Sequence, residues 1–261
     1  MDEIRGIAAG AEVEFEKVFM STLHVEFSDY VSKEFAYKPR ESCTDIVINQ
    51  GIDCKLVLSL LYVVGICHNE DGSLIDFDRT SIIEVMLEQE DKTTNFHAYC
   101  YSGELPTAGK PQSLSSFTSL LLFLYLAFGW NNKIAFTMNY LHTAKGDYDG
   151  IARNFVARYL LEATSLDDAW NRITTTPHCV GHNYQVMDLQ TGETVVIEVA
   201  PFDRVGRFHP LPDMPHFHSN MYSLIMVDDT PYASSIHREA RYKQLNPPHS
   251  FKEAMAILGD E

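Results

Sequence analysis

Three stretches of the chain hold side chains capable of chemistry. The first is Cys43, in Pro39-Arg40-Glu41-Ser42-Cys43-Thr44-Asp45-Ile46, where a thiol at the junction of a proline-marked loop and a strand is placed like a nucleophile at a strand edge. Free cysteines are often merely packed, so position alone favours a structural role over a nucleophile. The second is Cys67-His68-Asn69-Glu70-Asp71-Gly72, four consecutive polar side chains directly after the apolar run Leu56 to Ile66. They read either as a site at the end of a buried strand or as an ordinary polar turn, since Glu-Asp-Gly is good turn chemistry. The third is His216-Phe217-His218-Ser219-Asn220, followed by the apolar Met221 to Val227. With His209, and with His178, Cys179 and His182 upstream, it raises the question of a metal centre. The spacings match no zinc pattern with a stated mechanism, so no metal or other cofactor is expected.

The elements that must position these residues follow from periodicity and turn chemistry. Glu14 to Phe35 reads as one helix, with Phe15, Val18, Phe19, Thr22 and Val25 near one face. Strand signals cover Thr44 to Ile48, Ser81 to Leu87, Asn95 to Tyr101 and Lys133 to Met138. A helix over Ile151 to Ala163 carries Ile151, Phe155, Tyr159 and Leu160 on a common stripe. Ser165 caps the next helix, with Asp168 at the third helical position, and Ser250 with Glu253 forms a second such box near the C-terminus. The clearest hairpin joins Tyr184–Leu189 to Glu193–Val199 through Gln190-Thr191-Gly192. Helices, strands, helices and strands in that order predict one layered α+β domain over residues 1–261.

Composition narrows the partners. Thirty-six acidic against 20 basic residues give a formal charge of −16, which excludes nucleic acid and anionic membrane surfaces as natural partners. Five cysteines at irregular spacing argue against a disulfide framework and for a reducing, cytoplasmic setting. The apolar runs 56–66 and 117–128 fall short of the roughly 20 residues that a membrane-spanning helix requires.

Taken in order, further residues carry a resemblance. After Cys43-Thr44 and His68-Asn69-Glu70-Asp71-Gly72 come Tyr101-Ser102-Gly103-Glu104-Leu105-Pro106, Gly129-Trp130-Asn131-Asn132 and Ala152-Arg153-Asn154-Phe155. Ile197-Glu198-Val199-Ala200-Pro201 and His218-Ser219-Asn220 complete the series. The chain thus resembles the isopenicillin N acyltransferase-like family of N-terminal-nucleophile hydrolases, which includes the insect hydrolases of β-alanyl-dopamine and carcinine. The resemblance implies a four-layer αββα fold. It implies self-cleavage between Ser42 and Cys43, giving a small chain (1–42) and a large chain (43–261) that stay together as a heterodimer. It implies Cys43 as nucleophile, Asp71 beside it and Asn220 in the oxyanion hole, with Thr44, Asn69, Glu70 and Asn139 lining the site. The implied reaction is amide hydrolysis or acyl transfer on a small N-acyl amine of the β-alanyl-amine type, with no cofactor.

The chain departs from the family pattern in four ways. Ser42 stands where the fungal acyltransferase has Gly, and both termini are short of the family's fold. The runs 56–66 and 113–126 are insertions, and Arg238 and Arg241 are not evident replacements for the family's substrate-site arginine. The alternative reading is a catalytically inactive or truncated family member serving as a binding protein.

Overall fold

The computed structural model describes residues 1–35, 43–49, 64–70, 80–89, 92–101, 128–211, 214–229 and 231–259. Three helices open the chain: α1 (Asp2–Gly10), α2 (Phe15–Thr22) and α3 (His24–Phe35). The single helix predicted over 14–35 is therefore broken at Leu23, and α1 is an additional element. The break has a long-range cause: the Thr22 carbonyl accepts Asn154 Nδ2 at 2.8 Å from a distant part of the chain.

The described strands form three sheets. β1 (Cys43–Asn49) lies between β2 (Val64–Glu70) and β10 (His216–His218), both antiparallel to it. β3 (Thr80–Gln89) and β4 (Lys92–Tyr101) pair as a long hairpin. β5 (Phe128–Trp130), β6 (Ile134–Leu141), β7 (Gly181–Asp188), β8 (Thr194–Ala200) and β9 (Arg204–Phe208) form a five-stranded antiparallel sheet in sequence order. The β7–β8 hairpin turns where expected. Asp188 Oδ1 accepts the amides of Gln190 and Thr191, and Gly192 supplies the positive φ of 74°. The polar stretch His68-Asn69-Glu70 ends β2, and the Asp71-Gly72 part of the alternative turn lies outside the described residues. Residues 56–63 and 113–126 lie outside the described residues.

Alternation along the strands divides the five-stranded sheet into an apolar and a polar face. Ile134, Phe136 and Met138 of β6, Tyr184 and Val186 of β7, and Val195, Ile197 and Val199 of β8 share one face. They pack against α4 (Arg153–Leu160) and α5 (Leu166–Thr174) through Val156, Ala157, Leu160, Ala169 and Ile173. Truncating a buried aromatic such as Phe136 costs about 3–5 kcal/mol. Of the stripe expected on α4, Leu160 packs into the core and Phe155 packs against Phe19 of α2. Ile151 and Tyr159 are exposed, and Val156, Ala157 and Leu160 are the residues that face the sheet. The Ser165 cap on α5 forms as predicted, with Ser165 Oγ accepting Asp168 N at 3.1 Å.

The opposite face carries Thr137 and Asn139, Asn183 and Gln185, and Glu198, all fully buried. β1 and β2 pack across β6. Beyond them lie α6 (Ala233–Tyr242) and α7 (Phe251–Leu258). Ile46 of β1 packs with Ala254 and Leu258, and Phe217 of β10 stacks on Tyr242 at 4.2 Å between ring centroids. The order of layers is α4/α5, five-stranded sheet, β10–β1–β2, α6/α7. This is the expected α+β arrangement in four layers. Ser250 caps α7 as predicted, accepting Glu253 N at 3.2 Å. Among the described residues no helix is long and apolar enough to cross a membrane.

Candidate active site

The strand register brings the sequence candidates to one end of β1. Cys43 is the first residue of the strand and pairs with Glu70, and Thr44 pairs with Asn69. On the other side of β1, Asp45 pairs with His218 and Ile46 with Phe217, so the chain leaves β10 toward Ser219 and Asn220 beside the start of β1. Ser42 and Asp71 lie outside the described residues.

The two faces of this sheet are identified by what β10 touches. Phe217, opposite Ile46, stacks on α6, whereas His218, opposite Asp45, reaches Glu198 of the five-stranded sheet at 3.3 Å. His218 thus lies on the face of this sheet turned toward the polar surface of β6–β8. Thr44 belongs to the other face, where its hydroxyl accepts from Arg238 Nη1 of α6.

Asn220 is buried and held at both ends of its amide. Its Nδ2 donates to the Tyr140 carbonyl at 2.9 Å, and its Oδ1 accepts Arg238 Nη2 at 3.0 Å. Arg238 Nη2 also donates to Ser235 Oγ at 3.0 Å. One guanidinium thus joins the residue after Cys43 to Asn220, a geometry suited to its planar fork of donors. Sequence reasoning set Arg238 aside. Its signal was faint, because α6 is strongly polar and nothing local marks the arginine as turned inward.

Asn139 is fully buried on the polar face of β6, where its Oδ1 accepts Asn183 Nδ2 at 3.2 Å. Tyr140, the next residue, joins the site to the N-terminal helices. Its hydroxyl donates to Oδ1 of Asp29 in α3, whose Oδ2 accepts Tyr148 Oη at 3.0 Å and pairs with Lys33 at 2.6 Å. Glu26 Oε1 accepts the Arg153 amide at 2.7 Å, and Glu3 pairs with Arg158 at 2.7 Å. Helices upstream of Cys43 are therefore tied to the body of the fold by buried polar contacts.

The histidines considered for a metal have separate partners. His178 Nε2 lies 2.8 Å from the Ile173 carbonyl, His182 lies between the rings of Tyr140 and Tyr184, and His218 meets Glu198. Among the described residues no group of three or more His, Cys, Asp or Glu side chains is arranged to hold a metal. Cys179 is a poor nucleophile. Burial, reinforced by Glu26, Asp29 and Asp147, pushes its thiol up to about 12, far from the thiolate form that attacks carbonyls.

Comparison with known proteins places this architecture. In sequence the chain is 24% identical over 283 residues to the beta-alanyl-dopamine/carcinine hydrolase of Drosophila melanogaster. That match covers 99% of this chain, which spans 65% of the relative's length. In structure the chain is similar to the Caenorhabditis elegans ortholog of N-acylethanolamine-hydrolyzing acid amidase, with a TM-score of 0.50 at 14% identity. The superposition covers 84% of this chain and 86% of that one, which shows the N-terminal-nucleophile hydrolase fold. The family model for acyl-coenzyme A:6-aminopenicillanic acid acyl-transferase matches residues 66–261, a span that begins downstream of Cys43. That span is three-quarters of the chain, and the chain belongs to this acyl-transferase family.

Proposed function

We propose that the chain is an autoprocessed amide hydrolase or acyltransferase whose nucleophile is an N-terminal Cys43, acting on a small N-acyl amine of the β-alanyl-amine type. The observation that carries this reading is the link from Thr44 through Arg238 to Asn220, which sets a buried side-chain amide beside the start of β1.

In the precursor the Cys43 thiol attacks the Ser42 carbonyl, and the Ser42–Cys43 C–N bond breaks as a thioester forms. Water then hydrolyses that thioester, leaving Ser42 as a carboxylate and Cys43 with a free amine. A free α-amino group has a pKa of about 8, so it can take the thiol's proton without a histidine. In turnover the thiolate adds to the substrate carbonyl, and Asn220 donates to the oxyanion. The amine departs with a proton to give an acyl-enzyme, which water or an acceptor amine resolves. Removing an oxyanion donor costs about 3–4 kcal/mol in such reactions. Asp71, two positions past Asn69 in the chain, would orient the nucleophile or its amine.

The Drosophila relative, named for β-alanyl-dopamine and carcinine, supports a cationic amide as substrate. The net charge of −16 favours approach of such a cation. Contacts of Glu3, Thr22, Glu26 and Asp29 with the later chain support retention of residues 1–42 as a small subunit after cleavage. The absence of a disulfide pattern in the sequence supports a reducing compartment, which we take to be the cytoplasm. The test is hydrolysis of a β-alanyl anilide: activity in the wild type that Cys43→Ala abolishes supports the proposal. A well-folded chain without that activity would instead favour a binding protein.

A further inference from the structure

Between His218 and Ser223 the chain makes a short excursion that holds Asn220. The Met221 amide donates to the Ser219 carbonyl at 2.7 Å, so Asn220 sits at the apex of a three-residue turn. Both ends of this turn are fixed by one carboxylate. Glu198 is fully buried at the centre of the polar face of β8. Its Oε1 accepts His218 Nε2 at 3.3 Å, Ser223 N at 2.8 Å and Ser223 Oγ at 2.7 Å. Its Oε2 accepts Leu224 N at 2.8 Å and Ile225 N at 3.3 Å.

A buried carboxylate is tolerated only where donors satisfy it, and five donors on two oxygens do so here. All five come from the segment that carries Asn220, on either side of it. Glu198 therefore stands in for a strand partner at the amides of Ser223, Leu224 and Ile225. The turn is pressed onto the sheet at two glycines. A Cβ on Gly181 would collide with Tyr222 Oη, and one on Gly206 would stand 2.6 Å from Ile225 Cγ2. Tyr222 Oη adds a bond to the Val199 carbonyl at 3.1 Å.

We propose that Glu198 is the positioning residue of the site: by gripping both ends of the 218–223 turn it sets the Asn220 amide against the Tyr140 carbonyl and the start of β1. This rests on the reading of Asn220 as oxyanion donor. A rigidly held donor stabilises charge in the transition state without reorganisation, whereas a loosely held one loses most of that effect. Glu198 touches neither substrate nor nucleophile in this account and acts through Asn220 alone.

The test is a double-mutant cycle on the full chain with Glu198→Gln, Asn220→Ala and their combination. Two rates are read: precursor self-cleavage followed by mass, and kcat on β-alanyl-p-nitroanilide. Asn220→Ala is expected to lower both by about 100-fold or more, and Glu198→Gln by roughly 10- to 100-fold with KM little changed, as misplacement of a catalytic group does. The combined variant is expected to match Asn220→Ala, because Glu198 has nothing left to position. Should Glu198→Gln fail to fold, Ser223→Ala removes one of the five bonds. A several-fold loss in the wild-type background and none beside Asn220→Ala is the same prediction in milder form. Wild-type rates in the single Glu198 or Ser223 variants would overturn the proposal. So would an equal fold-loss in both backgrounds, which is the signature of a merely structural role. An inert wild type, or full rates in Asn220→Ala, would instead remove the reading of Asn220 on which the proposal stands.

Discussion

Tyr140 donates its hydroxyl to Asp29 Oδ1 at 2.5 Å, across 111 positions of the chain. The same residue receives Asn220 Nδ2 on its carbonyl at 2.9 Å. One residue of β6 thus holds a helix that precedes Cys43 and the amide proposed to stabilise the oxyanion.

Tyr140→Phe removes the hydroxyl and leaves Asp29 with Lys33 and Tyr148. The expected cost is about 1–3 kcal/mol, read by urea denaturation, because a buried acceptor loses one donor. In the cleaved protein the same change is expected to loosen the small chain, read as earlier release of residues 1–42 on dilution in mild denaturant.

Glu26 and Glu198 are both buried carboxyls with opposite expectations. Burial raises the Glu26 carboxyl above its ordinary value, and the Arg153 amide only partly offsets this. Its contribution is therefore most favourable below pH 4.5 and is lost as pH rises through the raised folded value. Glu26→Gln is expected to raise Tm at pH 7, with the gain vanishing below pH 4.5. Burial also opposes the Glu198 carboxylate, but His218, the Ser223 hydroxyl and the Leu224 amide outweigh it and hold the carboxyl below its ordinary value. Its contribution is present above pH 4.5 and is lost as pH falls through the depressed value, so Glu198→Gln lowers Tm most at neutral pH. Thermal melts between pH 4 and 8 check both directions.

Asn131 explains the Gly-Trp-Asn-Asn segment. Its Nδ2 donates to the carbonyls of Leu161 and Ala163 at 2.7 and 2.8 Å, and its Oδ1 accepts the amides of Lys133 and Ile134 at 2.7 and 3.0 Å. It joins the β5–β6 turn to the end of α4. Asn131→Ala is expected to cost about 2–4 kcal/mol by leaving several buried backbone groups unpaired. Asn131→Asp restores only the acceptor half, so a denaturation midpoint near that of the alanine variant is expected.

What was legible in the sequence was local. The Ser165 and Ser250 caps, the 184–199 hairpin and the start of the cysteine strand each depend on a few adjacent residues, and each forms within a few positions of its expected place. The break at Leu23 depends on Asn154, which lies 132 positions from Thr22, so no window of sequence contains it. The buried face of α4 was misread because Tyr159 is apolar enough to join the pattern, yet it lies exposed under the Arg172 guanidinium, 4.4 Å from its ring centroid. Of the candidate site, strand pairing gathers Cys43, Thr44, Asn69 and Glu70 at one end of β1. Arg238 reaches Asn220 18 positions away and Thr44 194 positions away, Glu198 holds residues 20 to 27 positions away, and only the fold reveals them.

Arg238→Lys tests the bridge between Thr44 and Asn220. An ammonium on a flexible stem does not reproduce a planar fork that serves Thr44 Oγ1, Asn220 Oδ1 and Ser235 Oγ together. The expected result is a loss of roughly 10- to 100-fold in kcat on the β-alanyl anilide, in the range of a misplaced catalytic group. The melting curve should shift much less than for Asn131→Ala.

The intact mass of the purified protein tests the central claim most directly. The account predicts two species, residues 1–42 and 43–261, co-eluting under native conditions, with Cys43 as the new N-terminus and a single uncut mass for Cys43→Ala. A wild-type chain that is well folded and remains one uncut species of 261 residues would contradict it.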